Sequence, residues 1–96
     1  MSLINEIREK RDQILQIASR YRVNNIKVFG SVLRGDESPH SDLDLLVNCN
    51  EDCSLFDLIA LKLELEEFLG KKIDLVTPNS IHWSLQKSIL REAQEL

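Results

Sequence analysis

Between Ser54 and Gly70 the chain spells out both ends of one helix. Ser54 is a good N-cap, Asp57 stands three residues later in a capping-box position, and Gly70 supplies the left-handed stop. An apolar stretch of strand length lies on each side: Leu43 to Val47 before the helix, and Ile73 to Val76 after it, closed by Thr77-Pro78. A further short strand, Ile26 to Phe29, stops at Gly30. Upstream, Leu3, Ile4, Ile7, Ile14, Leu15, Ala18 and Tyr21 recur at helical spacing behind an N-cap at Ser2. This predicts a helix from Ser2 to about Tyr21, with Glu6 and Lys10 as an i,i+4 pair and the charges of Arg8 to Asp12 on a solvated face. Downstream, Ile81, Leu85, Ile89 and Ala93 predict a closing amphipathic helix, with Trp83 packing near its stripe. Phe56 and Phe68 are expected in the core of the central helix. Strands this short need a common sheet, so the expected fold is α/β (α+β): a small sheet of three or more strands packed with helices. The pattern leaves strand direction open.

Ninety-six residues are enough for one domain, residues 1–96. The formal net charge of −4 argues against direct nucleic-acid binding, because that affinity comes mostly from Lys and Arg neutralising phosphates. Neither a membrane span nor a signal peptide is expected, since no apolar run approaches about 18 residues. Cys49 and Cys53 form no disulfide framework, and their C-x3-C spacing has no second ligand pair for zinc. The expected setting is therefore cytoplasmic.

Chemistry concentrates between Gly30 and Val47. Asp42 and Asp44 are two apart at the start of a strand, so they project to one face about 6.6 Å apart while Leu43 and Leu45 turn to the other. Two like charges at that separation repel by roughly 2 kcal/mol at an effective dielectric near 20. A divalent cation with oxygen ligands is the usual offset. A bare D-x-D is more often the wet end of a strand, but three features tilt the balance. Asp74 interrupts another apolar strand; Gly30-Ser31 ends the strand before, where glycine lets amides approach a phosphate; and Arg34 follows in the same turn. The combination is a phosphate grip beside an acidic metal cradle. Gly30 and Gly35 have P-loop spacing, but Asp36-Glu37 reverses the charge at the Lys-Ser/Thr positions. No G-x-G-x-x-G occurs, and Leu46 and Val47 fill the positions where an EF-hand needs a ligand and a glycine. His40 reads as a solvated loop residue, and Lys71 and Lys72 as a balance to the acidic helix end at Glu64, Glu66 and Glu67.

Gly30-Ser31-Val32-Leu33-Arg34-Gly35, then Ser41-Asp42-Leu43-Asp44-Leu45-Leu46-Val47, then Asp74, resembles the nucleotidyltransferase superfamily typified by DNA polymerase beta. More narrowly it is similar to the minimal nucleotidyltransferases (MNT), antitoxin partners of HEPN-domain ribonucleases. The resemblance implies a small mixed sheet with helices on one side. It implies Asp42, Asp44 and Asp74 as a catalytic triad holding Mg²⁺, two ions being expected, with Asp74 helping to activate the acceptor hydroxyl. It places the nucleotide's terminal phosphates on Gly30 and Ser31, with Arg34 in support, and makes ATP the substrate. It also implies that AMP passes to a tyrosine of a HEPN toxin, in a homo- or hetero-oligomer. Two alternatives stay open: an antitoxin that inhibits by binding alone, and a transferase acting on a small-molecule acceptor.

Overall fold

A computed structural model describes residues 2–96. The N-terminal helical stretch is divided: α1 spans Leu3–Glu9 and α2 spans Arg11–Arg20, with Lys10 between them at φ −95°, ψ 12°. The expected Glu6–Lys10 pair does not form; Lys10 instead places its ammonium 5.7 Å from the centre of the Phe68 ring. Strand β1, Val23–Phe29, begins three residues earlier than its apolar part suggests and runs into the short helix α3, Gly30–Arg34. Strand β2, Leu43–Cys49, leads to α4, Leu55–Leu69, and β3 is Ile73–Val76. A 3-10 turn at Pro78–Ser80 precedes α5, Trp83–Glu92, and the short strand β4, Gln94–Glu95, follows it.

The caps of α4 form as their residue types require. The Ser54 side chain accepts from the Asp57 amide, the Asp57 carboxylate accepts from the Ser54 amide, and Gly70 adopts φ 66°. The four strands lie in the order β3-β2-β1-β4, with β1 antiparallel to both β2 and β4 and β2 parallel to β3. The sheet is thus mixed, and its fourth strand arises from two polar residues that pair with Lys27 and Val28.

Alternation along the strands sorts side chains between two unequal cores. Val28, Leu43, Leu45, Val47 and Ile73 join Ile7, Ile14, Ile17, Leu61 and Leu65 in the main core, so α1, α2 and α4 cover one face. Phe29 and Leu46 meet Ile81 on the other face, with Val76, Ile89 and Ala93 packed around them. Helix α5 therefore covers that second face, which corrects the expectation of helices on one side only. Three aromatic expectations also fail. Phe56 is 82% exposed, Phe68 is 38% exposed and Trp83 is 79% exposed. Helix α4 carries more apolar residues than a narrow sheet can cover; Leu58, Leu61, Leu65 and Leu69 take the buried stripe, and Phe56 is left outside it. Trp83 is the first residue of α5, with its ring 5.6 Å from that of His82. No helix among the described residues is long and apolar enough to cross a membrane.

Candidate active site

Three chain segments meet at one end of the sheet: the exit of β1, the entrance of β2 and the entrance of β3. Asp44 lies opposite Phe29 on β1 and level with Asp74 on β3. Laterally paired residues share a face, so the Asp44 and Asp74 side chains stand side by side on the face of the smaller core. Asp42, two residues before Asp44, is exposed just ahead of the strand. Leu43 and Leu45 are fully buried on the opposite face, as the two-residue period requires.

Gly30 has a structural reason that its motif alone does not reveal. Its φ is +78°, and a Cβ built there would stand 2.2 Å from Asp44 Oδ2. The carboxylate of Asp44 thus fills the space where any other residue would carry its side chain. This contact fixes Asp44 against the start of α3, whose first-turn amides have no intrahelical acceptor. Ser31 is the second residue of that turn, and its carbonyl accepts from the Asp36 amide at 3.0 Å, closing the loop behind it.

Burial raises the Asp44 carboxyl above its ordinary value; the charges of Asp74 and Asp42 push it the same way, and Arg34 opposes them. The field at Asp44 is therefore that of three mutually repelling carboxylates. Among the described residues, no group of three His, Cys, Asp or Glu side chains is close enough together to hold a metal ion. The Asp42, Asp44 and Asp74 carboxylates share a field without forming a closed ligand set. Their chemistry nonetheless suits a hard cation: all the donors are oxygen, and the electrostatic penalty on Asp44 is one that a positive ion opposes.

Arg34 is engaged on two sides. Its Nε donates to Asp36 Oδ2 at 3.4 Å and its Nη1 to Glu92 Oε1 at 2.5 Å. Nη2 has no hydrogen-bond partner among the described residues, so one edge of the guanidinium remains open. Glu92, near the end of α5, is the residue that sequence reasoning missed. Its only signal is position on a helix whose polar residues all look alike, 58 residues from its partner. Its charge also reaches Asp44, raising that carboxyl slightly.

Comparison with known proteins places this geometry. A family model described as a nucleotidyltransferase domain matches residues 5–96. A Methanocaldococcus jannaschii protein assigned as protein adenylyltransferase MJ0435 is 45% identical over 93 residues, covering 97% of each chain. Protein adenylyltransferase MntA of Thermococcus cleftensis is 40% identical over 77 residues, covering 80% of this chain and 78% of its own. Among solved structures, one assigned as a minimal nucleotidyltransferase superposes with a TM-score of 0.87 at 40% identity, covering 100% of this chain and 97% of the other. A toxin–antitoxin crystal structure with AMP-PNP superposes at TM-score 0.73 and 21% identity, covering 88% of this chain and 70% of the other. A complex of a tri-AMPylated Shewanella oneidensis HEPN toxin with its MNT antitoxin superposes at TM-score 0.66 and 18% identity, covering 92% and 69%. The last two are likenesses of fold.

Proposed function

The chain belongs to the nucleotidyltransferase domain family, and from that premise we propose that it is an antitoxin that transfers AMP from ATP to a tyrosine hydroxyl of a HEPN-domain toxin. The observation that carries this reading is the lateral pairing of Asp44 with Asp74, with Gly30 pressed against the Asp44 carboxylate. The acids and the phosphate turn are thereby at one end of the sheet. Relatives named protein adenylyltransferase support the type of transfer. The fold neighbours, an MNT bound to a HEPN toxin and a toxin–antitoxin pair with AMP-PNP, support the partner and the nucleotide. The tri-AMPylated toxin supports transfer of more than one AMP.

The chain's own residues divide the work. Gly30 and Ser31 present first-turn amides to the nucleotide's terminal phosphates, and the open edge of Arg34 donates to the same oxygens. Asp42, Asp44 and Asp74 would hold Mg²⁺, which when bound neutralises charge at the α-phosphate and acidifies the attacking hydroxyl. Asp74, on the β3 side, takes the acceptor's proton. The hydroxyl oxygen bonds to the α-phosphorus, the bond to pyrophosphate breaks, and pyrophosphate leaves with that electron pair. Positioning does most of the work, which is how a domain of this size can suffice.

A second reading, inhibition by binding alone, is favoured by one observation: Leu55, Phe56, Ile59 and Leu63 line an exposed apolar side of α4. One experiment separates the two. With the cognate toxin, Mg²⁺ and α-labelled ATP, wild-type protein transfers label to the toxin. The Asp42→Asn, Asp44→Asn variant neither labels nor neutralises it. Neutralisation that survives the double change favours occlusion, and absence of label with wild-type protein sinks the transferase reading.

A further inference from the structure

The two cysteines take no part in the site described above, yet the fold sets them together at the opposite end of β2. Cys49 is the last residue of that strand, about 16 Å along it from Asp44, and Cys53 stands just before the cap of α4. Between them Asn50–Cys53 form a tight turn, closed by the Cys53 amide donating to the Asn50 carbonyl at 3.0 Å. Both side chains fold back from this turn onto the main core, where each is only partly buried. The turn is also pinned from outside. The Asn50 amide donates to the Arg22 carbonyl at 2.8 Å, and the Asn24 side chain to Asn50 Oδ1 at 2.6 Å. The Arg22 guanidinium reaches Asp52 at 3.1 Å and Asp57 at 3.3 Å.

The two sulfurs differ in access. Cys49 lines an open hollow of about 360 Å³ between the end of β2 and residues 77–79, with Asn48, Thr77 and Asn79 as its polar wall. Cys53 lies outside that lining, and its thiol donates to the Ser54 carbonyl at 3.8 Å. Burial pushes the Cys53 thiol above its ordinary value, and the neighbouring Cys49 sulfur and the Asp57 and Asp52 carboxylates add to the rise. Cys49 is thus the sulfur that an outside reagent meets, and Cys53 the protonated neighbour behind it. The hollow has room for a small peptide, and one reachable sulfur backed by a second suits thiol–disulfide exchange.

We propose that Cys49 and Cys53 form an exchange site for low-molecular-weight disulfides, with Cys49 attacking and Cys53 resolving. The Cys49 thiolate, its proton given to solvent, bonds to one sulfur of the small disulfide. The S–S bond of the reagent breaks, and one small thiolate leaves with the electron pair and takes up a proton. A mixed disulfide remains on Cys49. Cys53 then gives its proton to solvent and bonds to the Cys49 sulfur, expelling the second small thiolate, which is protonated in turn. The two cysteines lose two electrons, and the small disulfide is reduced to two thiols. Capping Cys49 also removes the charge that opposes ionisation of Cys53, so the first exchange prepares the second. The product is a switchable bond and not a structural one, in keeping with two cysteines that make no framework.

The probe is oxidised glutathione, added to the reduced protein and followed by acid quench, alkylation and mass spectrometry. Wild type should pass through a glutathione adduct on Cys49 to a product closed between Cys49 and Cys53. Cys53→Ser should stop at the adduct, and Cys49→Ser should react at least about tenfold more slowly. In a glutathione buffer at equilibrium, the folded chain should hold about tenfold more closed form, relative to reduced, than the urea-unfolded chain, because the pinned turn keeps the sulfurs together. A protein that stays reduced overturns the proposal. So does a wild-type adduct that never closes, a first adduct on Cys53, bonds formed only between molecules, or the same equilibrium folded and unfolded. Labelling of the toxin by reduced protein tests the transferase reading alone, and with the two sites at opposite ends of β2 either reading can fail without the other.

Discussion

Replacing Gly30 with alanine tests whether the seat of Asp44 depends on a missing side chain. Two penalties are superimposed at this position. An L-residue held at φ +78° costs about 1–2 kcal/mol of backbone strain. The new Cβ would also lie 2.2 Å from Asp44 Oδ2, where ordinary contact begins near 3.4 Å. Relieving that overlap strains the surroundings by about 1–3 kcal/mol. It also requires the carboxylate to move by about an ångström, a misplacement that typically costs about a hundredfold in rate. Gly35 is the control: its φ is +79°, yet nothing lies within 4 Å of its Cβ position. Gly35→Ala therefore carries the strain without the collision. Urea unfolding of both variants should show Gly30→Ala less stable than Gly35→Ala by about 1–3 kcal/mol. Nucleotidyl transfer, assayed where both are folded, should fall about a hundredfold in the first and by less than about fivefold in the second. Gly30→Ala activity within about threefold of wild type, or equal losses in both variants, would refute the argument.

Asp44→Asn should abolish transfer yet raise the melting temperature of the metal-free protein at neutral pH, because folding raises this carboxyl's pKa. The sign follows from the unfolded chain ionising first: wild-type stability falls as pH rises past the ordinary carboxylate range, so the gain should vanish on acidification below it. A melting temperature unchanged at neutral pH contradicts this. Glu92→Ala should raise the KM for ATP by about three- to tenfold by releasing Arg34, Glu92→Gln should do so less, and neither should add to Arg34→Ala in a double-mutant cycle. Ser54→Ala should cost about 1 kcal/mol by removing the cap of α4, read as a shift in the urea midpoint at unchanged slope. The Asp57 carboxyl, held below its ordinary value first by the Ser54 amide and then by Arg22, gives stability present at neutral pH and lost on acidification; Asp57→Asn should melt below wild type at neutral pH, and the difference should close as the pH falls through the carboxylate range.

The elements that could be read from sequence are those whose signals are local. Ser54, Asp57 and Gly70 announce α4 because caps act within one turn, and Ile73–Val76 is a strand from end to end. The start of β1 was hidden because Asn24 and Asn25 have low strand preference and enter the sheet only through β2. Strand β4 could not be foreseen, since Gln94 and Glu95 become a strand by meeting Lys27 and Val28. The break at Lys10 interrupts a periodicity that looks continuous, and the exposed Phe56 reflects a choice between two apolar faces that only the sheet's width decides. At the site, the motif points to Asp42, Asp44, Asp74, Gly30, Ser31 and Arg34. The register that sets Asp44 beside Asp74, the carboxylate filling the glycine's vacant side and the tether from Glu92 all depend on residues distant in sequence.

The two acids that stand level are held by unequal strands. Asp44 belongs to β2, flanked by neighbours on both sides, whereas Asp74 belongs to four-residue β3 at the margin of the sheet. What must stay constant from one turnover to the next is thus anchored in the interior, and what must meet a changing guest sits at the border. Under the proposed transfer, substitutions along that border should retune the choice of guest while leaving the interior strand in place.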